Sequence, residues 1–379
     1  MGPIMPQSAI TRLIQITTSG GWGGRETLPL AIHRWRRQRG LDSQLIVAAG
    51  SPLADSAGGD EGLIAISGGR GRLAMELRRF FQDTRSSGTT AIICHFTRDL
   101  PAIRFALVDD SETLLIVVKH VGPGPPKHGI GHRIVYRRVN RLLAVSEYVR
   151  ERCARVYPID PARTAVWYPG VDIDRFTFDA AECERIRRET ACGAGEIVMG
   201  YVARITPNKG IEDLLDATCR LRAAHPTMRL WIAGKSSPDE SGYERGLHDR
   251  IASLGLADTV RLAGWQDKPE AFLSAIDLFV VPSQYEAFGL STVEAMACAR
   301  PVAGFRAAGT AEIVADHQTG LLADPRGDAA GNLAQSIRTL LDHPDRRREF
   351  GQRGRQRAET VFSHQAMIDR LDANLKELA

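Results

Sequence analysis

Two kinds of stretch alternate along the chain. Short, continuous apolar runs occur at 13–17, 44–48, 63–66, 91–95, 114–119, 142–145, 197–202, 228–233, 260–262 and 276–281. Runs that are continuous rather than alternating predict parallel strands buried on both faces. Between them lie segments with helical spacing, such as 25–39, where Leu28, Ile32 and Trp35 recur, and also 73–84, 213–225 and a helix opening at Leu290. Residues 50–71, rich in Gly, Ser and Asp, predict loops around the strand 63–66. Residues 121–129 predict a stiff Pro/Gly loop followed by a basic helix. Repeated β then α over 379 residues predicts an α/β protein with more than one core, hence two domains.

Charged residues make up 25% and hydrophobic residues 43%, as in soluble globular proteins. No run approaches the roughly 18–20 apolar residues that cross a bilayer, and the N-terminal stretch lacks the pattern of a secretory signal. Six cysteines without a C-x-x-C pair suit a reducing cytoplasm and argue against a zinc site or a disulfide framework. The net charge of +4 is uneven. Residues 1–170 hold 23 Lys+Arg against 14 Asp+Glu, and the remainder holds 26 against 31. The basic half concentrates arginine at 34–40 and 132–141. Guanidinium forks there suit an anionic acceptor or an anionic membrane surface; solvated helix faces are the plainer alternative.

The chemistry concentrates in 281–298. Pro282 ends a strand, Glu286 and Phe288-Gly289 occupy a loop, and Glu294 sits on the second turn of the following helix. Two carboxylates placed in this way can face one crevice at the carboxyl edge of a sheet. The N–H groups of Leu290, Ser291 and Thr292 are expected to open the helix unpaired and to attract a phosphate or a hydroxyl. Alone, the stretch also fits an ordinary βα unit with a solvated glutamate.

The order strand, Pro-Ser, Glu, Phe-Gly, helix with Glu resembles the E-x7-E signature of the family 4 retaining glycosyltransferases of the GT-B fold. Other positions are similar to that family. Gly23-Gly24-Arg25-Glu26 resembles its glycine-rich turn, while failing the dinucleotide pattern G-x-G-x-x-G because Glu26 stands at the last position. His120 ends a strand where the family has a histidine near donor sugar and phosphate; His95 ends another and is ranked below it. Ser146 sits where a serine caps the next helix. Residues 167–176 resemble the interdomain segment, with Pro169 in place of Asn. Arg204 and Lys209 fall on the family's diphosphate-binding pair, with Ala203 replacing Gly. The loop at 234–238 departs from the family's Gly-x-Gly-Pro, and Gly264 ends the strand beside the base. Gly309-Thr310 opens a helix, and Phe362-Ser363 leads into a closing helix. Asp172 and Asp174 spell D-x-D and are discounted as a metal site, since no further oxygen ligands lie nearby.

The resemblance implies two Rossmann-like domains facing a central cleft. The first is an acceptor-binding domain, 1–168, with a crossover helix at about 362–379; the second is a nucleotide-sugar-binding domain, 169–361. It implies a retaining transferase that moves a hexose-type sugar from a nucleotide-diphosphate donor to a glycan or glycolipid hydroxyl, in lipopolysaccharide core or cell-surface polysaccharide synthesis. Glu286 would contact the sugar, Glu294 the ribose, Arg204 and Lys209 the diphosphate, and His120 the sugar-phosphate region. Amides at Phe288, Gly289 and Leu290, with Gly23, Gly24, Gly264 and Thr310, would complete the binding. No metal, no cofactor and no nucleic acid are implied. The expected location is the cytoplasm, at most peripheral on the inner membrane. A nucleotide-sugar epimerase, a soluble disaccharide-forming transferase and a non-catalytic binding protein are the alternatives.

Overall fold

The computed structural model describes residues 10–21, 23–84, 88–122, 124–237 and 240–378. The N-terminal segment 1–9, Trp22 of the glycine turn, Pro123 of the Pro/Gly loop and Pro238 lie outside the described residues. The chain divides into two compact units, Met1–Pro169 with Met367–Ala379, and Gly170–Ala366.

In the first unit seven strands form one parallel sheet. They are β1 (Arg12–Thr17), β2 (Asp42–Ala48), β3 (Leu63–Ile66), β4 (Thr90–Cys94), β5 (Leu114–Lys119), β6 (Arg141–Ala144) and β7 (Thr164–Val166), in the order β3-β2-β1-β4-β5-β6-β7. Every residue of β1 and β5 is buried, as a continuous apolar run requires when helices cover both faces. The winding reverses between β1 and β4, where Ile16 pairs with both Ile46 and Cys94. Ligands of open α/β sheets bind outside the strand ends at such a reversal.

One face of this sheet packs on the helix Gly24–Gln38 and on the end of the chain. Ile93, Ile116, Val118 and Trp167 meet Leu28 and Ile32 of that helix, and Met367, Ile368, Leu371 and Leu375 of the last helix, His364–Lys376. Trp167 Nε1 donates to the Met367 carbonyl at 2.9 Å, and Arg141 donates to Asn374 Oδ1 at 3.0 Å and Glu377 Oε2 at 2.5 Å. Each of the four apolar side chains from the last helix contributes about 1.5–3 kcal/mol by burial. That is why the chain from Met367 onward belongs to the first unit.

The second unit holds six parallel strands: β8 (Ile197–Val202), β9 (Met228–Ala233), β10 (Val260–Gly264), β11 (Leu278–Val281), β12 (Val302–Phe305) and β13 (Gly320–Ala323), in the order β10-β9-β8-β11-β12-β13. Its winding reverses between β8 and β11, where Gly200 pairs with Phe279.

Strands 63–66, 114–119, 197–202 and 228–233 match their sequence expectation at both ends. The stretch expected to be loop from 50 to 71 also contains a helix, Pro52–Ser56, capped by Ser51 Oγ accepting from Ala54 N–H at 3.2 Å. The helix expected at 213–225 is Ile211–Leu221, because Gly210 starts it in a left-handed conformation two residues earlier. All six cysteines are free thiols.

Candidate active site

The second unit gathers its chemistry where β8 and β11 end side by side. Two glycines make the approach of the loops possible. Gly210 has φ +68°, and a Cβ there would lie 2.0 Å from the Pro282 carbonyl; Gly234 has φ +143°, with the Ala203 carbonyl 1.8 Å from a Cβ. Only glycine fits either place. The Lys209 carbonyl then accepts from Tyr201 Oη at 3.3 Å and Ser283 Oγ at 3.4 Å, while those two hydroxyls lie 2.8 Å apart. Burial, then the charge of Glu286, pushes the Tyr201 phenol up, so it stays protonated and serves as a strut.

On this scaffold Lys209 Nζ meets Glu286 Oε1 at 2.5 Å, with side chains 22% and 17% exposed. The Glu286 carbonyl accepts from Gly309 N–H at 2.8 Å, and a Cβ on Gly309 would sit 2.7 Å from Phe288 Cα. Phe288 is buried and sets its ring edge to face against Phe362, at 5.7 Å. Gly289, at φ +111°, precedes the helix Leu290–Ala297.

The expectation of three unpaired amides is corrected here. Thr292 N–H donates to the Gly289 carbonyl at 3.0 Å, so among the described residues the free amides of this turn are those of Leu290 and Ser291. The cause is a tightened first turn with an i to i+3 bond.

Glu294 lies on the same helix, and its carboxyl group has no hydrogen bond or ion pair among the described residues; burial raises it to about 7 against the pull of Arg175, which is bonded to Glu270 at 2.9 Å. Arg204 is exposed and unpaired among the described residues. Thr310 is buried with an unpartnered Oγ1, and Gly264 accepts from Gly234 N–H at 2.8 Å with φ +66°. The departure at 234–238 has a structural account: Ser236 donates through N–H and Oγ to Glu244 Oε2, at 3.1 and 2.5 Å, which fixes the loop without the missing glycine. Asp172 Oδ1 accepts from the N–H groups of Asp174 and Arg175, at 3.1 and 3.0 Å, so the D-x-D is a turn. Among the described residues no three or more His, Cys, Asp or Glu side chains group as metal ligands.

In the first unit the ends of β1, β4 and β5 converge. Gly23 precedes the helix Gly24–Gln38, whose buried Glu26 accepts from Arg25 Nε at 2.7 Å; Arg25 also donates to Ser19 Oγ at 2.8 Å. Gly20, Gly21 and Gly23 have no left-handed φ, and a Cβ on any of them would meet nothing closer than 3.7 Å. Neither conformation nor packing within the unit demands glycine there.

His120 does not stand alone. Its Nε2 lies 3.1 Å from His95 Nδ1, His95 Nε2 lies 3.1 Å from Gln15 Oε1, and Gln15 Nε2 donates to the Pro29 carbonyl at 2.9 Å. A carbonyl only accepts, so the Gln15 amide nitrogen faces Pro29 and its oxygen faces His95. His95 must therefore carry its proton on Nε2. Burial lowers this imidazole to about 3, so it is neutral and its Nδ1 accepts. It follows that His120 donates from Nε2 and keeps Nδ1 as its free acceptor. Burial first, then the neighbouring His95 ring and the cations Arg25 and Lys119, hold His120 well below the usual imidazole range. The sequence sets His95 below His120 and does not single out Gln15; the structure joins all three in one hydrogen-bonded chain. The available signal was a glutamine inside the wholly buried strand Arg12–Thr17.

Two family models match consecutive parts of the chain: Glycosyltransferase Family 4 over residues 22–175 and Glycosyl transferases group 1 over 183–357. D-inositol 3-phosphate glycosyltransferase 2 of Catenulispora acidiphila is 35% identical over 236 residues, covering 61% of this chain and 54% of the relative. D-inositol 3-phosphate glycosyltransferase of Geodermatophilus obscurus is 34% identical over 257 residues, covering 66% and 55%. The chain thus spans about half the length of these relatives. HepE of Anabaena, solved with UDP, superposes with a TM-score of 0.84 at 20% identity over 97% of this chain and all of that one, 100%. A glycosyltransferase of Rickettsia africae gives 0.86 at 18% over 97% and 98%, and the lipopolysaccharide outer core galactosyltransferase WaaB gives 0.71 at 15% over 97% and 99%. These likenesses establish a shared two-sheet fold.

Proposed function

Because the chain belongs to glycosyltransferase family 4 and has two Rossmann-like units of GT-B type, we propose that it moves a hexose-type sugar from a nucleotide-diphosphate donor to an acceptor hydroxyl, with retention of anomeric configuration. The observation that carries this reading is the Lys209–Glu286 pair at 2.5 Å. It sets a cation and a carboxylate side by side at the reversal of the second sheet, as a sugar diphosphate requires: phosphate for the ammonium, sugar hydroxyls for the carboxylate.

In this reading Arg204 and Lys209 neutralise the charge that grows on the departing diphosphate, without a metal. Glu286 orients the sugar, and Glu294 takes the ribose. Amides at Phe288, Gly289 and Leu290, with Gly264 and Thr310, line the donor. His120, with Gly23 and Gly24, serves the first unit, which we read as acceptor-binding. UDP, held by the HepE neighbour, is the first nucleotide to try.

For the acceptor, two readings have support. A lipopolysaccharide core or cell-surface glycan suits the basic first half and the WaaB neighbour. A phosphorylated polyol suits the name of the sequence relatives. Peripheral association with an anionic membrane is supported by the helix Ile130–Arg137, which exposes Ile130 (81%) and Ile134 (49%) beside Arg133 and Arg137. Among the described residues no helix is long and apolar enough to cross a membrane.

The test is calorimetric binding of UDP, GDP, ADP and their sugar conjugates without added metal, to wild type and Lys209→Ala. Binding of one nucleotide, weakened about tenfold or more by the substitution, is expected. Equal binding by both proteins would remove the diphosphate assignment.

A further inference from the structure

Tyr157 follows the helix Glu147–Val156 and is 2% exposed. Tyr136 stacks against it, with centroids 4.9 Å apart and ring planes at 18°. Two ammonium groups approach the same ring, Lys119 Nζ at 5.3 Å and Lys127 Nζ at 5.7 Å from the centroid. The two cations therefore share one ring, which Tyr136 also stacks on. The ring's quadrupole attracts each of them but does nothing to relieve their mutual repulsion.

Lys119 is only 7% exposed, and its ammonium has no hydrogen bond or ion pair among the described residues. Burial lowers its pKa first, and the nearby charges of Lys127 and Arg25 lower it further. Lys127 is held in place by its backbone N–H, which donates to the Val156 carbonyl at 2.9 Å. A second ring repeats the pattern: Phe96, two residues beyond β4, has Arg25 Cζ at 5.3 Å and Arg98 Cζ at 5.6 Å.

Among the described residues no carboxylate pairs with Lys119 or Lys127. Between positions 113 and 146 there is no Asp or Glu, although Lys119, Lys127, Arg133, Arg137 and Arg138 lie within that span beside Arg141, which is paired with Glu377. Glu26 is engaged by Arg25, and Asp99 accepts from Thr18 N–H at 3.0 Å and Thr18 Oγ1 at 2.5 Å. An ammonium at the edge of a buried site without an ionic partner is costly, and an anion that brings its own charge and oxygens removes that cost.

We propose that Lys119 and Lys127, with Arg25 beside them, bind a phosphate monoester carried by the acceptor. The inference rests on reading the first unit as the acceptor-binding one. It places the phosphate next to His120, the residue that follows Lys119, and selects the phosphorylated acceptor over a neutral glycan.

The experiment measures binding rather than transfer, so it does not depend on a correct donor. Full-length protein is titrated with inositol phosphate, with unphosphorylated inositol, and with phosphatidylcholine vesicles containing or lacking phosphatidic acid; UDP binding is measured in parallel. Wild type is expected to bind a phosphate monoester at millimolar concentration or below, and inositol not at all. Lys119→Met, which keeps the apolar stem in place, and Lys127→Ala should each weaken that binding about tenfold or more, while Arg155→Ala and UDP affinity stay unchanged. A response to inositol phosphate identifies a soluble acceptor; a response confined to phosphatidic acid vesicles and lost in the same variants identifies a lipid one. No binding in either arm, or binding indifferent to both lysine substitutions, overturns the site even where UDP binds normally. Loss of UDP binding alone would instead count against the donor reading.

Discussion

At the end of β11 a carboxylate and an ammonium meet at 2.5 Å, whereas at the end of β5 two imidazoles meet at 3.1 Å near Lys119, which has no carboxylate partner among the described residues. Both regions take polar groups partly out of water. The second unit does so by compensating opposite charges; the first does so by keeping its histidines neutral and wiring them through Gln15 to the Pro29 carbonyl. A compensated pair is robust until one partner is removed, when the other is left with its full desolvation cost. A neutral chain is sensitive to the identity of every link, because each tautomer depends on the next. Thus the second unit presents charge ready for a charged ligand, and the first presents one defined acceptor atom, His120 Nδ1.

The largest effect should come from breaking the charged pair. Glu286→Ala removes the proposed sugar contact and frees Lys209 for phosphate. Turnover is expected to fall about 10- to 150-fold, the equivalent of a charged hydrogen bond worth about 1.5–3 kcal/mol, while nucleotide affinity stays or improves. Turnover close to wild type would remove Glu286 from the reaction.

Cutting the neutral chain should cost less. His95→Leu takes away the acceptor for His120 Nε2 and leaves Gln15 Oε1 buried without its donor. About tenfold slower turnover and a loss of about 1–3 kcal/mol in urea unfolding are expected. His95→Asn, whose amide supplies both a donor and an acceptor, should recover part of each. If the leucine variant were as active as wild type, the tautomer of His120 would not matter.

Glu294 gives the smallest and most diagnostic change. Its folded carboxyl, raised to about 7 by burial, keeps a proton that the unfolded chain releases near its ordinary value. The native state therefore binds more protons between those two values, and the stability contributed by Glu294 declines as pH rises through that window. Glu294→Gln has no such decline. Its Tm relative to wild type should increase from pH 5 to pH 8 by about 2–4 °C, on the order of 2 kcal/mol. A pH-independent difference would mean that Glu294 is ionised and solvated in the folded protein.

Much of the fold is legible in the chain because buried parallel strands are written as unbroken apolar runs. Leu114–Lys119, Ile197–Val202 and Met228–Ala233 were found to the residue on that signal. Thr164–Val166 was not, since it is a three-residue edge strand whose positions are all half-buried and leave no apolar run. Pro52–Ser56 was missed because five residues of loop-like composition carry too little helical periodicity. At the candidate site, the strand-end positions of Glu286, Arg204 and His120 could be read locally. The occupied Thr292 amide could not, because it depends on how tightly the first turn closes.

By itself the sequence determined the alternation of strand and helix, the polar residues that follow each strand, and the asymmetry of charge between the halves, since all three are properties of local composition and spacing. Only the tertiary structure decided which of those residues meet. Lys209 and Glu286 are 77 positions apart, and Gln15 and His95 are 80 apart. They touch because β11 lies beside β8, and β4 beside β1. Parallel neighbours in a sheet need a crossover between them, so their ends adjoin in space while remaining distant in the chain. The order in which strands pair is settled by packing of the whole sheet, as is the convergence of Lys119 and Lys127 on the Tyr157 ring.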